Sequence, residues 1–193
     1  MSLHWRHGLT APRYAPILGT LIGALGGAVY WLGTQFWPTS IAVVLSMLAT
    51  GLLSARAAVR GRFGPESFVF AVLMKYNALM ALSAASLPFA LPPNVALGLI
   101  MIAGQASSRA LGVSGTPASH TDTAIALALG FAPAALIGIP GLIGLVAAIV
   151  ARVAFAAYIG RRRPSVTAAG SGMIQQFIEI CFYLGALGSW SYL

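Results

Sequence analysis

Glu66, Asp122 and Glu179 are the only acidic side chains in the 193-residue sequence, against eleven Lys and Arg. Glu179 stands in an apolar run, and so do the basic residues Lys75 and Arg152. An ionised group inside hydrocarbon is costly unless paired or hydrated, so each marks a functional position by default. At a rise of about 1.5 Å per residue, Lys75 lies about 15 Å, Arg152 about 12 Å and Glu179 about 9 Å from the basic ends of their segments. Lys75 and Glu179 are natural partners, and Arg152 could join them. One reading is a structural ion pair locking two helices, with Arg152 snorkelling to the interface. The other is a polar cavity that holds a charged molecule. The cavity gains support because every ionisable side chain lies near the midplane or toward one side of the chain's alternating segments.

Other polar positions carry simpler readings. His4 and His7 flank Trp5 at metal-compatible spacing but read as a solvated tail. His120 and Asp122 fall in a polar loop, where Asp122 is the simplest N-cap of the following segment, with Ser119 or Thr121 as competitors. The run Arg161-Arg162-Arg163 anchors a cytoplasmic end against anionic lipid, or holds phosphate beside a nucleotide-using site.

The elements that must position these groups are membrane helices. The chain is 59% hydrophobic and 7% charged, whereas a soluble domain carries about 25% charged residues. That excludes a soluble enzyme and a disordered tail. The lone Cys181 cannot form an internal disulfide, which excludes a disulfide-stapled secreted domain. Seven apolar segments are expected: Pro16–Trp37, Thr39–Ala58, Pro65–Phe89, Pro93–Val113, Asp122–Ile139, Gly141–Gly160 and Met173–Tyr192. Each approaches the roughly 20 residues that a 30 Å core requires. Pro133 and the glycines near Gly112 and Gly115 would permit broken or re-entrant helices in segments four and five. In segment two the polar interruptions are Ser40, Ser46, Thr50, Ser54 and Arg56. The result is an all-α, polytopic membrane bundle forming one transmembrane domain over 1–193, with no cleavable signal peptide.

Charge fixes the expected orientation. Arg6, Arg13, Arg56, Arg60, Arg62, Arg109 and Arg161 to Arg163 fall on alternate connections, and the opposite connections carry no Lys or Arg. By the positive-inside rule the N-terminus is cytoplasmic and the C-terminus outside, as expected for a bacterial-type inner membrane. Tyr30, Trp31, Trp37, Trp190 and Tyr192 sit at the outer ends as interfacial anchors. The net charge of +8 is therefore topological and needs no nucleic acid. Gly19, Gly23 and Gly27 form a small-residue stripe suited to close helix packing.

Several stretches resemble one family. Arg13-Tyr14-Ala15-Pro16-Ile17-Leu18-Gly19 through Gly23 looks like the opening of the first helix in cobalamin synthases, the adenosylcobinamide-GDP ribazoletransferases. Arg62-Phe63-Gly64 before a helix with Lys75, and Ser108-Arg109-Ala110, are similar to further family features. So is the C-terminal series Val166-Thr167, Gly172-Met173-Ile174-Gln175-Gln176 and Glu179. The sequence departs from the family at its Asp-rich motif: Leu52-Leu53 runs directly into Ser54-Ala55-Arg56. A stretch of a few tens of residues is missing there, and a family Thr-Gly-Asp is replaced by Thr167-Ala168-Ala169. This makes the chain a shortened member.

The resemblance implies a membrane transferase of late cobalamin biosynthesis. Such an enzyme joins adenosylcobinamide-GDP to α-ribazole or its 5′-phosphate, releases GMP and requires Mg²⁺. It implies corrinoid and nucleotide-loop small molecules as ligands, beside the lipid bilayer. On this chain the implied roles are catalytic for Lys75 and Glu179 and phosphate-binding for Arg62, Arg109 and Arg152. Lys75 would share in neutralising the diphosphate, and Glu66, Asp122 and Glu179 would be the metal ligands. Two alternatives stand beside it. An inactive shortened relative would serve as a binding or scaffold protein, alone, as a homo-oligomer or with another membrane protein. A small transporter subunit would use Lys75 and Glu179 as a coupling pair.

Overall fold

Prolines set most of the helix starts. Pro16 lies in the first turn of the first helix, and Pro65, Pro93 and Pro140 occupy the same place in three others. A first-turn residue has no intrahelical acceptor for its N–H, so the missing proton of proline costs nothing there. In the computed structural model, residues 12–58, 65–85, 92–113, 119–162 and 171–190 are described. After a 3₁₀ turn at Pro12–Tyr14 come α1 (Ala15–Phe36), α2 (Thr39–Ala58), α3 (Pro65–Ala84), α4 (Pro93–Val113), α5 (His120–Leu136), α6 (Ile139–Arg162) and α7 (Ser171–Trp190). The protein is an all-α bundle of seven helices over the described residues, as the hydropathy pattern requires.

Helices α2 and α4 take the expected bounds, and the departures elsewhere have local causes. Helix α5 begins at His120, capped by Ser119 rather than Asp122, because the Ser119 hydroxyl accepts from the Asp122 N–H at 3.0 Å. It passes through Pro133 unbroken and ends at Leu136. Ser107 on α4 donates to the Gly130 carbonyl at 3.1 Å, tying α5 to α4 within one turn of that proline. The turn into α6 falls at Ile137–Gly138, not at Pro140. Gly138 has φ 78°, a left-handed geometry that glycine adopts without a Cβ clash. Helix α4 is continuous through Gly112 to Val113. Helix α3 closes at Ala84, short of the expected Phe89.

Helix α4 is the axle. It packs against α1, α3, α5, α6 and α7, while α2 lies across α1, α3 and α7. Leu97, Ile100, Met101 and Ala103 of α4 are buried, together with Leu79, Ile178, Phe182 and Tyr183. The outward surface is as apolar as this core: Phe36 is 76% and Leu136 86% exposed, joined by Leu21, Leu52, Phe70, Val150 and Val153. A folded chain showing that surface is solvated by lipid. Among the described residues α1, α4 and Ile139–Tyr158 of α6 are long and apolar enough to cross a membrane by length and composition.

The glycine stripe makes a close helix contact. A Cβ on Gly23 would lie 2.6 Å from Ile102 Cα, and one on Gly27 2.9 Å from Gly98 Cα. One on Gly19 would lie 2.5 Å from the Gln105 carbonyl oxygen. Rising numbers on α1 meet falling numbers on α4, so the two run antiparallel with their backbones almost touching.

Candidate functional site

The α1–α4 contact fixes the depth of Gln105, and Gln105 leads to the polar centre. Lys75 Nζ of α3 lies 2.7 Å from Glu179 Oε1 of α7, with side chains only 7% and 3% exposed. Gln105 Nε2 donates to the same oxygen at 2.9 Å, and Tyr183 Oη donates to it at 2.6 Å. Three donors from three helices therefore converge on Oε1. Glu179 and Tyr183 are four residues apart on α7, the spacing that stacks side chains on one helical face. Gly104 makes room for the tyrosine: a Cβ there would lie 2.6 Å from the ring. An isolated charge at this depth would be prohibitively desolvated, but a close ammonium and two neutral donors offset that cost.

The remaining charged groups lie toward the same end of the bundle. Arg109, one turn beyond Gln105, donates from Nη2 to Ser54 Oγ of α2 at 3.3 Å. Its stem crosses Gly19, where a Cβ would lie 2.8 Å from Arg109 Cδ. Arg152 Nε of α6 donates to the Leu111 carbonyl at 3.1 Å. Leu111 stands in the last turn of α4, where carbonyls lack helical partners and a cation is favoured. Arg152 thus meets the end of α4, and its described bond is not to the Lys75–Glu179 pair. Arg13 approaches Asp122 at 3.8 Å on the exposed rim, and Ser119 donates to the Asp122 carboxylate at 2.9 Å. Arg62 and the Glu66 side chain lie outside the described residues, as do His4, His7 and the side chains of Arg161 to Arg163.

Known proteins carry the same sequence pattern. The chain is 27% identical to the adenosylcobinamide-GDP ribazoletransferase of Ralstonia pickettii over 223 aligned positions, covering 92% of this chain and 84% of the relative. The protein of that name from Ralstonia nicotianae is 27% identical, covering 94% of this chain and 85% of the relative. The one from Shewanella amazonensis is 28% identical with the same coverage. Over most of its length the chain is similar to proteins of this name. No protein-family model and no solved structure matches it.

As a ribazoletransferase relative, the chain is a short one. The 223 aligned positions outnumber its own 193 residues, so stretches of the relative have no counterpart here. The shortening bears on Mg²⁺, which favours oxygen ligands drawn from one or two carboxylates plus substrate phosphates. Among the described residues no three His, Cys, Asp or Glu side chains come together around a common point. Asp122 lies in the first turn of α5 beside Arg13 on the exposed rim, and Glu179 is engaged by Lys75, Gln105 and Tyr183 inside the bundle. Asp122 and Glu179 thus stand apart, and the side chain of the third candidate ligand, Glu66, lies outside the described residues.

Two members of the polar centre escape a reading based on charge. Gln105 is neutral, and only its isolation in the apolar stretch from Leu97 to Ala106 distinguishes it. Tyr183 reads as one more aromatic core residue, and the clue is its four-residue distance from Glu179.

Proposed function

We propose that this chain is a membrane transferase of the adenosylcobinamide-GDP ribazoletransferase type, joining adenosylcobinamide-GDP to α-ribazole or its 5′-phosphate with release of GMP. The reading is carried by one observation: likeness to three proteins of that name over 92–94% of the chain. In this reaction a hydroxyl oxygen of α-ribazole bonds to the corrinoid-side phosphorus. The bond from that phosphorus to the bridging oxygen breaks, and GMP leaves with the bridging oxygen. Arg62, Arg109 and Arg152 would spread the negative charge of the diphosphate, since fixed cations lower the barrier to phosphoryl transfer. Lys75 and Glu179 would order the reacting end. No step is assigned to Mg²⁺ through Glu66, Asp122 and Glu179, and chelation by EDTA in the assay decides whether the cation is needed.

Placement in a bacterial-type inner membrane with the N-terminus cytoplasmic puts the polar end of the bundle on the nucleotide-rich side. The assay uses purified protein in nanodiscs with adenosylcobinamide-GDP, α-ribazole and Mg²⁺, read as GMP released. No release under conditions where the Ralstonia pickettii relative turns over would refute the transferase reading.

A second reading has its own support. The described carboxylates do not converge, and the Asp-rich motif is missing, which suits a relative that binds the corrinoid without turnover. Corrinoid binding that is indifferent to EDTA, with no GMP formed, identifies this case.

A further inference from the structure

Among the described side chains, Asp122 and Glu179 leave Arg109 and Arg152 without a carboxylate partner. Asp122 lies by Arg13 and Glu179 by Lys75. Arg109 has no carboxylate within 4.0 Å among the described residues; its one hydrogen bond is to the neutral hydroxyl of Ser54. Its Nε is buried with no hydrogen-bond partner among the described residues. A buried donor left unmade is costly, and in a native structure such a group calls for an explanation.

Ser54 is equally unusual. Ser46, Thr50, Ser83, Ser108 and Ser189 each donate to a carbonyl of their own helix. Ser54 instead accepts from Arg109, and its own proton has no acceptor among the described residues. The corner where α1, α2 and α4 meet thus carries a guanidinium and a hydroxyl side by side, both with protons to give. The side chain of Arg109 as a whole is only partly buried. Gly19 admits the arginine stem to this corner.

We infer that Arg109 and Ser54 form a phosphate subsite, in which an oxyanion bridges the Nη edge of Arg109 and the Ser54 hydroxyl. A tetrahedral, multiply charged anion satisfies both donors and neutralises the cation; the planar fork of arginine suits such a group. The inference deepens the transferase reading by assigning Ser54 and one corner of the bundle to a phosphate. The same chemistry would also accept the headgroup phosphate of an anionic lipid.

The test is calorimetric titration of sodium pyrophosphate into the full chain in nanodiscs of phosphatidylcholine. Wild type binds, R109Q weakens binding by at least about tenfold, and S54A weakens it by about two- to tenfold, the worth of one hydrogen bond. A parallel arm replaces part of the lipid with phosphatidylglycerol and omits pyrophosphate. If only this arm stabilises wild type, and R109Q and S54A abolish the gain, the occupant is lipid phosphate and the subsite stands. Circular dichroism and gel filtration monitor folding. Should R109Q fail to fold, S54A decides, and an unchanged S54A in both arms overturns the subsite. Pyrophosphate binding lost in the variants without GMP release in wild type keeps the subsite and removes the transferase. GMP release unaffected by S54A and R109Q does the reverse.

Discussion

Breaking the buried ion pair by halves should cost far more than removing it whole. Lys75 Nζ and Glu179 Oε1 are 2.7 Å apart, so at an effective dielectric near 20 their attraction is about 6 kcal/mol. Withdrawing both ions from water costs several kcal/mol each, and the net worth of the pair is close to that of a neutral replacement. E179Q strands the ammonium and K75M strands the carboxylate, and each should lose about 3–5 kcal/mol. K75M should be the milder, because Gln105 and Tyr183 still donate to the carboxylate. The double variant K75M/E179Q leaves no buried charge at that point. It should return to within about 2 kcal/mol of wild type, a coupling of about 4 kcal/mol or more. Thermal unfolding in a mild detergent, followed by circular dichroism, reads all four proteins. A double variant no more stable than the worse single would refute the argument that the pair is held as a unit.

Three further outcomes test the surrounding architecture. G23A should destabilise the bundle by about 1–3 kcal/mol through overpacking against α4, whereas G51A, with open space around its Cβ, should leave the melting temperature unchanged or raised. Y183F removes one of three donors to Glu179 and should cost about 1–3 kcal/mol, and placing it in the K75M/E179Q background should cost less; the same melts show both. S119A removes the cap of α5 and should cost about 1 kcal/mol, seen as faster amide hydrogen exchange confined to the first turn of that helix.

Much of this arrangement was legible before any coordinates. Apolar length and proline placement located seven helices because both act locally, through burial and through the missing N–H. The partnership of Lys75 with Glu179 was legible because charges in this chain are so scarce that few pairings exist. The α1 stripe announced close packing for the same local reason. The helix that fills the stripe was not legible, since any neighbour with small residues would serve. Arg152 illustrates the other limit. Its depth allowed either the ion pair or an interface, and its bond to the end of α4 follows from which helices lie side by side, a property of the tertiary arrangement. Gln105 was invisible to charge counting, although it completes the same carboxylate's shell.

The antiparallel seam between Gly19–Gly27 and Gly98–Gln105 also bears on biogenesis. Helix α1 emerges from the ribosome with a shallow furrow along one side, and two helices must be made before the strip that fills it appears. Until then α4 is a poor lodger in hydrocarbon by itself, burdened with an amide and a guanidinium. Its release from the translocation channel is therefore best coupled to docking in that furrow, which would make α1 the template on which the later helices assemble.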